Sequence, residues 1–212
     1  MTNPDLTLIA ALLDRSGSMQ VIADDTRGGF DAFIAKQRGE SGSTVVTLAQ
    51  FDDEYEMVYQ NQAIADVPPL ALDPRGSTAL LDAIGRFISD VGSGLAAVPE
   101  DQRPGSVTVV VLTDGHENAS HEWTKESVQQ LISQQEEKYS WDFVFLGANM
   151  DAVDVGRQMG FSADRSMTYA ASSAGVSGSW GSMSDWMNRK RSSPKGSKVS
   201  FTDSERKRSS GN

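Results

Sequence analysis

Leu8-Ile-Ala-Ala-Leu-Leu13, followed at once by Asp14-Arg-Ser-Gly-Ser18, is the stretch on which the reading of this chain turns. Six apolar residues without a polar break form the pattern of a strand covered on both faces, as strands of a parallel sheet are. The run stops at a carboxylate and a Ser-Gly turn, so the carboxyl end of the strand carries oxygen groups rather than more core. Beyond the turn, Met19, Ile22, Phe30, Phe33 and Ile34 recur near helical spacing until Gly39 closes the segment. Strand, polar loop and helix therefore follow one another.

Outward from that unit the alternation continues. Val45 to Phe51 reads as a second strand, and Tyr55, Met57 and Tyr59 place a third after Asp52-Asp53. That acidic pair suggests a tight hairpin, which makes the third strand an antiparallel edge. Pro68, Pro69 and Pro74 mark a loop ending in Arg75-Gly-Ser-Thr78, after which Leu80, Ala83, Ile84, Phe87, Ile88, Val91 and Leu95 draw a clear amphipathic stripe. Val107 to Leu112 is a second fully apolar strand and stops at Thr113-Asp114-Gly115. A helix over about 124–138, a strand at Phe143-Val-Phe-Leu146, a helix over about 151–159 and a short strand at 167–170 complete the pattern. Val176, Trp180, Met183 and Met187 share one face of a final helix, although Gly178 and Gly181 weaken its propensity. Strands alternating with helices predict a three-layer, Rossmann-like α/β fold with a mostly parallel sheet and helices on both faces.

The 212 residues suffice for one domain with a real core. At 38% hydrophobic and 23% charged, the composition is that of a globular protein rather than a disordered one. Cysteine is absent, which excludes disulfides, thiolate zinc sites, iron–sulfur clusters and a cysteine nucleophile. The net charge of −10 is uneven: residues 1–186 hold 11 Lys and Arg against 27 Asp and Glu, whereas 187–212 hold 8 against 2. The acidic part repels phosphates, so any nucleic-acid contact is expected only through the basic end. We expect a domain over 1–190 and, from 191 to 212, a flexible Ser-rich basic tail. No basic leader or membrane-length apolar run precedes the first strand, which leads us to expect a cytoplasmic protein.

In an open parallel sheet, ligands bind beyond the carboxyl ends of the strands near the switch point. Asp14, Ser16 and Ser18 follow the first strand, Thr78 opens the second helix and Asp114 follows the strand 107–112. Two carboxylates and three hydroxyls brought together there make an all-oxygen set with room for water. That chemistry suits Mg²⁺ better than zinc.

Asp14-Arg-Ser-Gly-Ser18, Gly76-Ser-Thr78 and Leu112-Thr-Asp-Gly115, in this order and each at a strand end, resemble the three parts of the metal-ion-dependent adhesion site of von Willebrand factor type A domains. The resemblance covers about residues 5–190, and Leu112 to Ser120 with Phe145 to Asn149 looks like the small stand-alone bacterial and phage members. It implies a metal held by Asp14, Ser16, Ser18, Thr78 and Asp114, directly or through water: Mg²⁺, with Mn²⁺ and Ca²⁺ as alternatives. It also implies a non-catalytic module in which a Glu or Asp of a partner protein completes the metal's coordination. A second implied role is an accessory subunit of an ATPase or of a kinase and phosphatase system in stress or phage defence.

Other chemistries fit less well. Asp14, Ser16 and Thr78 read singly are helix caps or turn residues. His116 and His121 are five apart, whereas H-E-x-x-H on a helix needs four. No G-x-S-x-G elbow and no G-x-x-x-x-G-K-[ST] loop occurs. A Mg²⁺-dependent phosphohydrolase using Asp14 as acceptor lacks the second acid, because Ser16 stands where D-x-D chemistry places it.

Overall fold

The computed structural model describes residues 1–194 and 196–211. Six strands, β1 (Asn3–Asp14), β2 (Ser43–Phe51), β3 (Tyr55–Ala63), β4 (Pro104–Thr113), β5 (Asp142–Ala148) and β6 (Ser166–Tyr169), form one sheet in the order β3-β2-β1-β4-β5-β6. All neighbours pair in parallel except β2 and β3, whose hairpin makes the antiparallel edge that Asp52-Asp53 signals. Around the sheet lie α1 (Ala23–Arg38), α2 (Leu80–Ala96), α3 (Lys125–Tyr139), α4 (Ala152–Gln158), α5 (Ser173–Ser192) and α6 (Asp203–Ser209).

The unbroken apolar runs of the central strands have a direct cause. Successive side chains point to opposite faces, and both faces are covered. Ile9, Ala11 and Leu13 of β1 enter a core with α1 and α5, while Leu8, Ala10 and Leu12 enter another with α2, α3 and α4. On the α1/α5 side the ring of Trp180 lies 5.4 Å from that of Phe30 and 5.3 Å from that of Phe33. Gly29 permits this, because a Cβ there would stand 2.4 Å from the indole.

The chain leaves β1 for β2 on one side and reaches β4 on the other, so the direction of winding reverses between β1 and β4. Asp14 closes β1 and Asp114 follows β4, which puts both at the carboxyl-end crevice of that switch point. Among the described residues no helix is long and apolar enough to cross a membrane.

The basic C-terminal segment differs from the expected free tail. Phe201 is buried beside Trp186, whose indole Nε1 donates to Val199 O at 2.9 Å. Thr202 and Glu205 form a capping box that starts α6, and α6 crosses α5 where Gly178 lacks a Cβ that would stand 2.4 Å from Arg208 O. Most of the cations are engaged in this packing. Arg189 binds Glu205, Arg191 binds Gln37 and Thr44, Arg206 donates to Ser166 O at 2.6 Å, and Arg208 reaches Asp185. The charge run that composition assigns to a solvated tail is thus largely a set of ties across the fold; Lys195 and Asn212 of that run lie outside the described residues.

Candidate metal centre

The five oxygen-bearing residues sit at strand ends and on the turns that follow them, which backbone bonds hold together. Asp14 ends β1 and is fully buried, accepting from Ser16 N at 2.6 Å on Oδ1 and from Thr113 Oγ1 at 2.6 Å on Oδ2. The loop that follows is joined to the 75–78 loop by Gly17 N to Gly76 O at 3.2 Å and Arg75 N to Arg15 O at 2.7 Å. Gly76 has φ +68°, and a Cβ on it would collide with the Asp53 carboxylate, so glycine is strongly favoured at this close approach.

The hydroxyls converge. Ser16 Oγ and Ser18 Oγ are 3.1 Å apart, and Ser18 Oγ donates to Asp114 Oδ1 at 2.6 Å. A Cβ built on Gly115 would lie 2.9 Å from Thr78 Oγ1 and 3.5 Å from Ser18 Oγ, so the loop after β4 lies against both side chains. The structure therefore gathers Ser16, Ser18, Thr78 and Asp114 around one point, with Asp14 beneath it. Capping does not account for the hydroxyls. Ser16 precedes the short 3₁₀ helix Gly17–Ile22 without a side-chain cap bond, and α2 starts after Ala79, also without one.

The free N–H groups of α2 are satisfied instead from the loop after β4, which sequence reasoning passed over. Glu117 Oε2 accepts from Leu81 N at 2.8 Å, Ser120 Oγ from Asp82 N at 3.0 Å, and Asn118 Oδ1 from Thr78 N at 2.9 Å. Asp82 returns the arrangement by accepting from the backbone of His121, Glu122 and Trp123. These bonds lock Thr78 and Asp114 into one unit. Pairing of Glu117 and Ser120 with α2 is a contact between distant segments, and only the spacing G-x-E-N-x-S hinted at a structured loop.

The electrostatics favour a cation. Burial pushes the Asp14 carboxyl up to about 6 against the hydrogen bonds of Thr113 and Ser16, with Asp114 adding repulsion. Burial also raises Asp114 above the ordinary range despite the Ser18 bond. No Lys or Arg side chain among the described residues pairs with either. Arg15, the nearest cation in sequence, turns away to Asp52 at 3.0 Å and Glu56 at 2.5 Å. Two under-neutralised carboxylates among three hydroxyls form a hard-oxygen set whose chemistry fits a divalent cation. No group of three or more His, Asp or Glu able to hold a metal exists among the described residues, so His116 and His121 build no zinc site.

A pH dependence follows for the metal-free protein. Asp14 binds its proton more tightly folded than unfolded, so its contribution to stability is present at low pH and is lost as pH rises through about 6. Carboxylates held low, such as Asp52 and Asp82, have finished titrating by about pH 5. With EDTA present, stability should fall by about 1 kcal/mol between about pH 5 and pH 7, and Asp14→Asn should flatten that slope. Parallel denaturant titrations of the two proteins check this, and equal slopes would mean that burial does not hold the Asp14 proton.

Comparison with solved structures places the architecture. The von Willebrand factor domain of the pilus tip protein Mfa5 from Porphyromonas gingivalis aligns over 92% of this chain and 98% of its own, with TM-score 0.60 and 9% identity. A von Willebrand factor type A protein from Catenulispora acidiphila aligns over 87% of this chain and 42% of its own, with TM-score 0.57 and 14% identity. The fold is that of a von Willebrand factor type A domain. Proximal thread matrix protein 1 of the mussel byssus, solved with zinc occupying its adhesion-site motif, aligns over 87% of this chain and 44% of its own, with TM-score 0.54 and 18% identity. The chain spans less than half the length of several of these structures. No protein-family model matches the sequence, and no curated protein does.

Proposed function

We propose that this chain is a non-catalytic, metal-dependent protein-binding module of the small stand-alone kind. Its Mg²⁺ is held by Asp14, Ser16, Ser18, Thr78 and Asp114, and it docks a Glu or Asp of a partner protein. The observation that carries the reading is the meeting of Ser16, Ser18 and Asp114 oxygens above a buried Asp14 that has no cationic partner among the described residues. The type A fold, shared with a pilus tip domain and with a protein whose adhesion-site motif holds zinc, supports it.

A bound divalent cation would supply a positive charge with exchangeable positions, where an incoming carboxylate gains a charge-assisted bond. The protein's own part is orientation. Thr113 and Ser16 hold Asp14, Asn118 holds the backbone of Thr78, and Ser18 aligns Asp114. We place this module in the cytoplasm.

Two measurements test the proposal. Mg²⁺ or Mn²⁺ at about 100 times its dissociation constant should stabilise the protein by roughly 2.7 kcal/mol, and Asp114→Ala should remove the gain. Partners recovered from the native host in Mg²⁺ should be lost in EDTA. A flat melting curve up to saturating Mg²⁺ and Mn²⁺, with the same partners retained in EDTA, would overturn metal-mediated docking.

A further inference from the structure

At the end of the sheet opposite the metal centre, a cleft of about 750 Å³ opens between α2 and α3 over the start of β4. That size matches sites for small organic ligands. The cleft exists because α2 turns small residues toward α3: Ser89, Gly92 and Ser93 line it, and a Cβ on Gly92 would still be 3.9 Å from the Trp141 ring. Its floor is apolar, formed by the buried Ile88, Val107 and Trp141.

Two polar features set it apart from a packing defect. Gln135 lines the cleft, is only 8% exposed, and its side-chain amide makes no hydrogen bond to the described residues. With no protein partner, this amide presents its donor and acceptor to whatever occupies the cleft, water or a ligand. At the mouth, Lys138 has no carboxylate partner among the described residues, and Arg103 binds only the carbonyls of Val98 at 2.7 Å and Ala96 at 3.0 Å. The rim carboxylate, Glu100, faces the amino terminus at 3.3 Å. In a chain of net charge −10, two cations not neutralised by acid beside an apolar floor favour an anion with an apolar body.

We propose that this cleft is a binding site for a small carboxylic acid with an apolar body, the body lying on Val107 and Trp141 and the carboxylate meeting Lys138. The Gln135 amide supplies the orienting hydrogen bond inside. The site is independent of the metal centre and of any partner docked there.

Octanoate, with 1-octanol as the uncharged control, tests it by NMR titration of the full chain, read at the Gln135 side-chain amide and the Trp141 indole N–H. Saturable shifts with octanoate are expected, with octanol about tenfold weaker and Lys138→Ala bringing octanoate down to the octanol level. Gly92→Leu fills the cleft on a helix that gains propensity from the change, so it should fold, melt higher and show no octanoate shifts. No saturable shift up to about 10 mM octanoate, far weaker than a useful site, would overturn the proposal. Shifts that survive Gly92→Leu would place the ligand elsewhere, and equal binding of acid and alcohol would refute the role of Lys138.

Discussion

Truncation after Ser193 should destabilise the domain by about 3 kcal/mol, lowering the thermal midpoint by several degrees, even though the removed segment reads as a solvated basic tail. The cut removes Phe201, which is 5% exposed, and uncovers Trp186, which is fully buried. Burying one such aromatic contributes roughly 1.5–3 kcal/mol. It also strands polar groups. Ala170 N loses Ser209 O at 2.9 Å, the Trp186 indole N–H loses Val199 O, and Arg189 loses the bidentate carboxylate of Glu205. Against this stands the conformational entropy regained by the freed segment, which offsets part of the loss and holds the net effect to a few kcal/mol. Denaturant unfolding of the truncated and full chains measures the difference. A change below about 0.5 kcal/mol would mean that the segment adds nothing to the fold.

Asp142→Ala should cost more, about 4 kcal/mol. Asp142 starts β5 and is nearly buried. Its Oδ1 accepts from Arg165 Nη1 at 3.1 Å, and its Oδ2 faces Lys190 Nζ at 2.7 Å. Arg165 reaches on to Glu136 of α3 at 2.5 Å, so one carboxylate ties the sheet to α5 and, through Arg165, to α3. Deleting it leaves Arg165 with Glu136 alone as a carboxylate partner and Lys190 with only the Ser197 carbonyl, and it is the under-paired buried charge that carries the penalty. Replacing Asp142 by Asn keeps shape and loses charge, so its cost should fall between wild type and Ala. Exchanging Asp142, Arg165 and Lys190 together for apolar residues of similar volume should recover most of the stability. If Asp142→Ala costs less than about 1 kcal/mol, water enters the site and the network is a surface feature.

These two effects mark the line between what was legible and what was not. β1, β4 and β5 were readable because a strand buried on both faces needs an unbroken apolar run, and a run of about six residues has few other uses. The stripe from Leu80 to Leu95 was readable because its period is local to one helix. α5 was harder to read. Gly178, Ser179 and Ser182 lower its propensity, yet Ser179 and Ser182 return their hydroxyls to Val176 O and Gly178 O at 2.8 Å, and Gly178 admits the backbone of α6. The reason for those residues lies in a neighbouring element about thirty residues away, where no periodicity records it. The same holds at the candidate metal centre. Asp14, Ser16, Ser18, Thr78 and Asp114 stood out as oxygen groups at strand ends, whereas Thr113, Glu117, Asn118 and Asp82, which hold them in place, look like ordinary polar residues of a strand end, a turn and a helix one at a time.

By itself the sequence determined the alternating strand-and-helix order, the antiparallel edge and the oxygen character of the loops at one end of the sheet, because these depend on periodicity and residue type within a dozen positions. Tertiary structure alone decided which charges pair. It turned Arg15 from Asp14 toward Asp52, and it drew most of the C-terminal cations into packing. It also left the side chains of Gln135 and Lys138 without protein partners among the described residues, around an open cleft. The physical reason is that a charge or an amide is satisfied by whatever lies within about 3 Å of it, and the chain brings those neighbours from segments tens of residues apart.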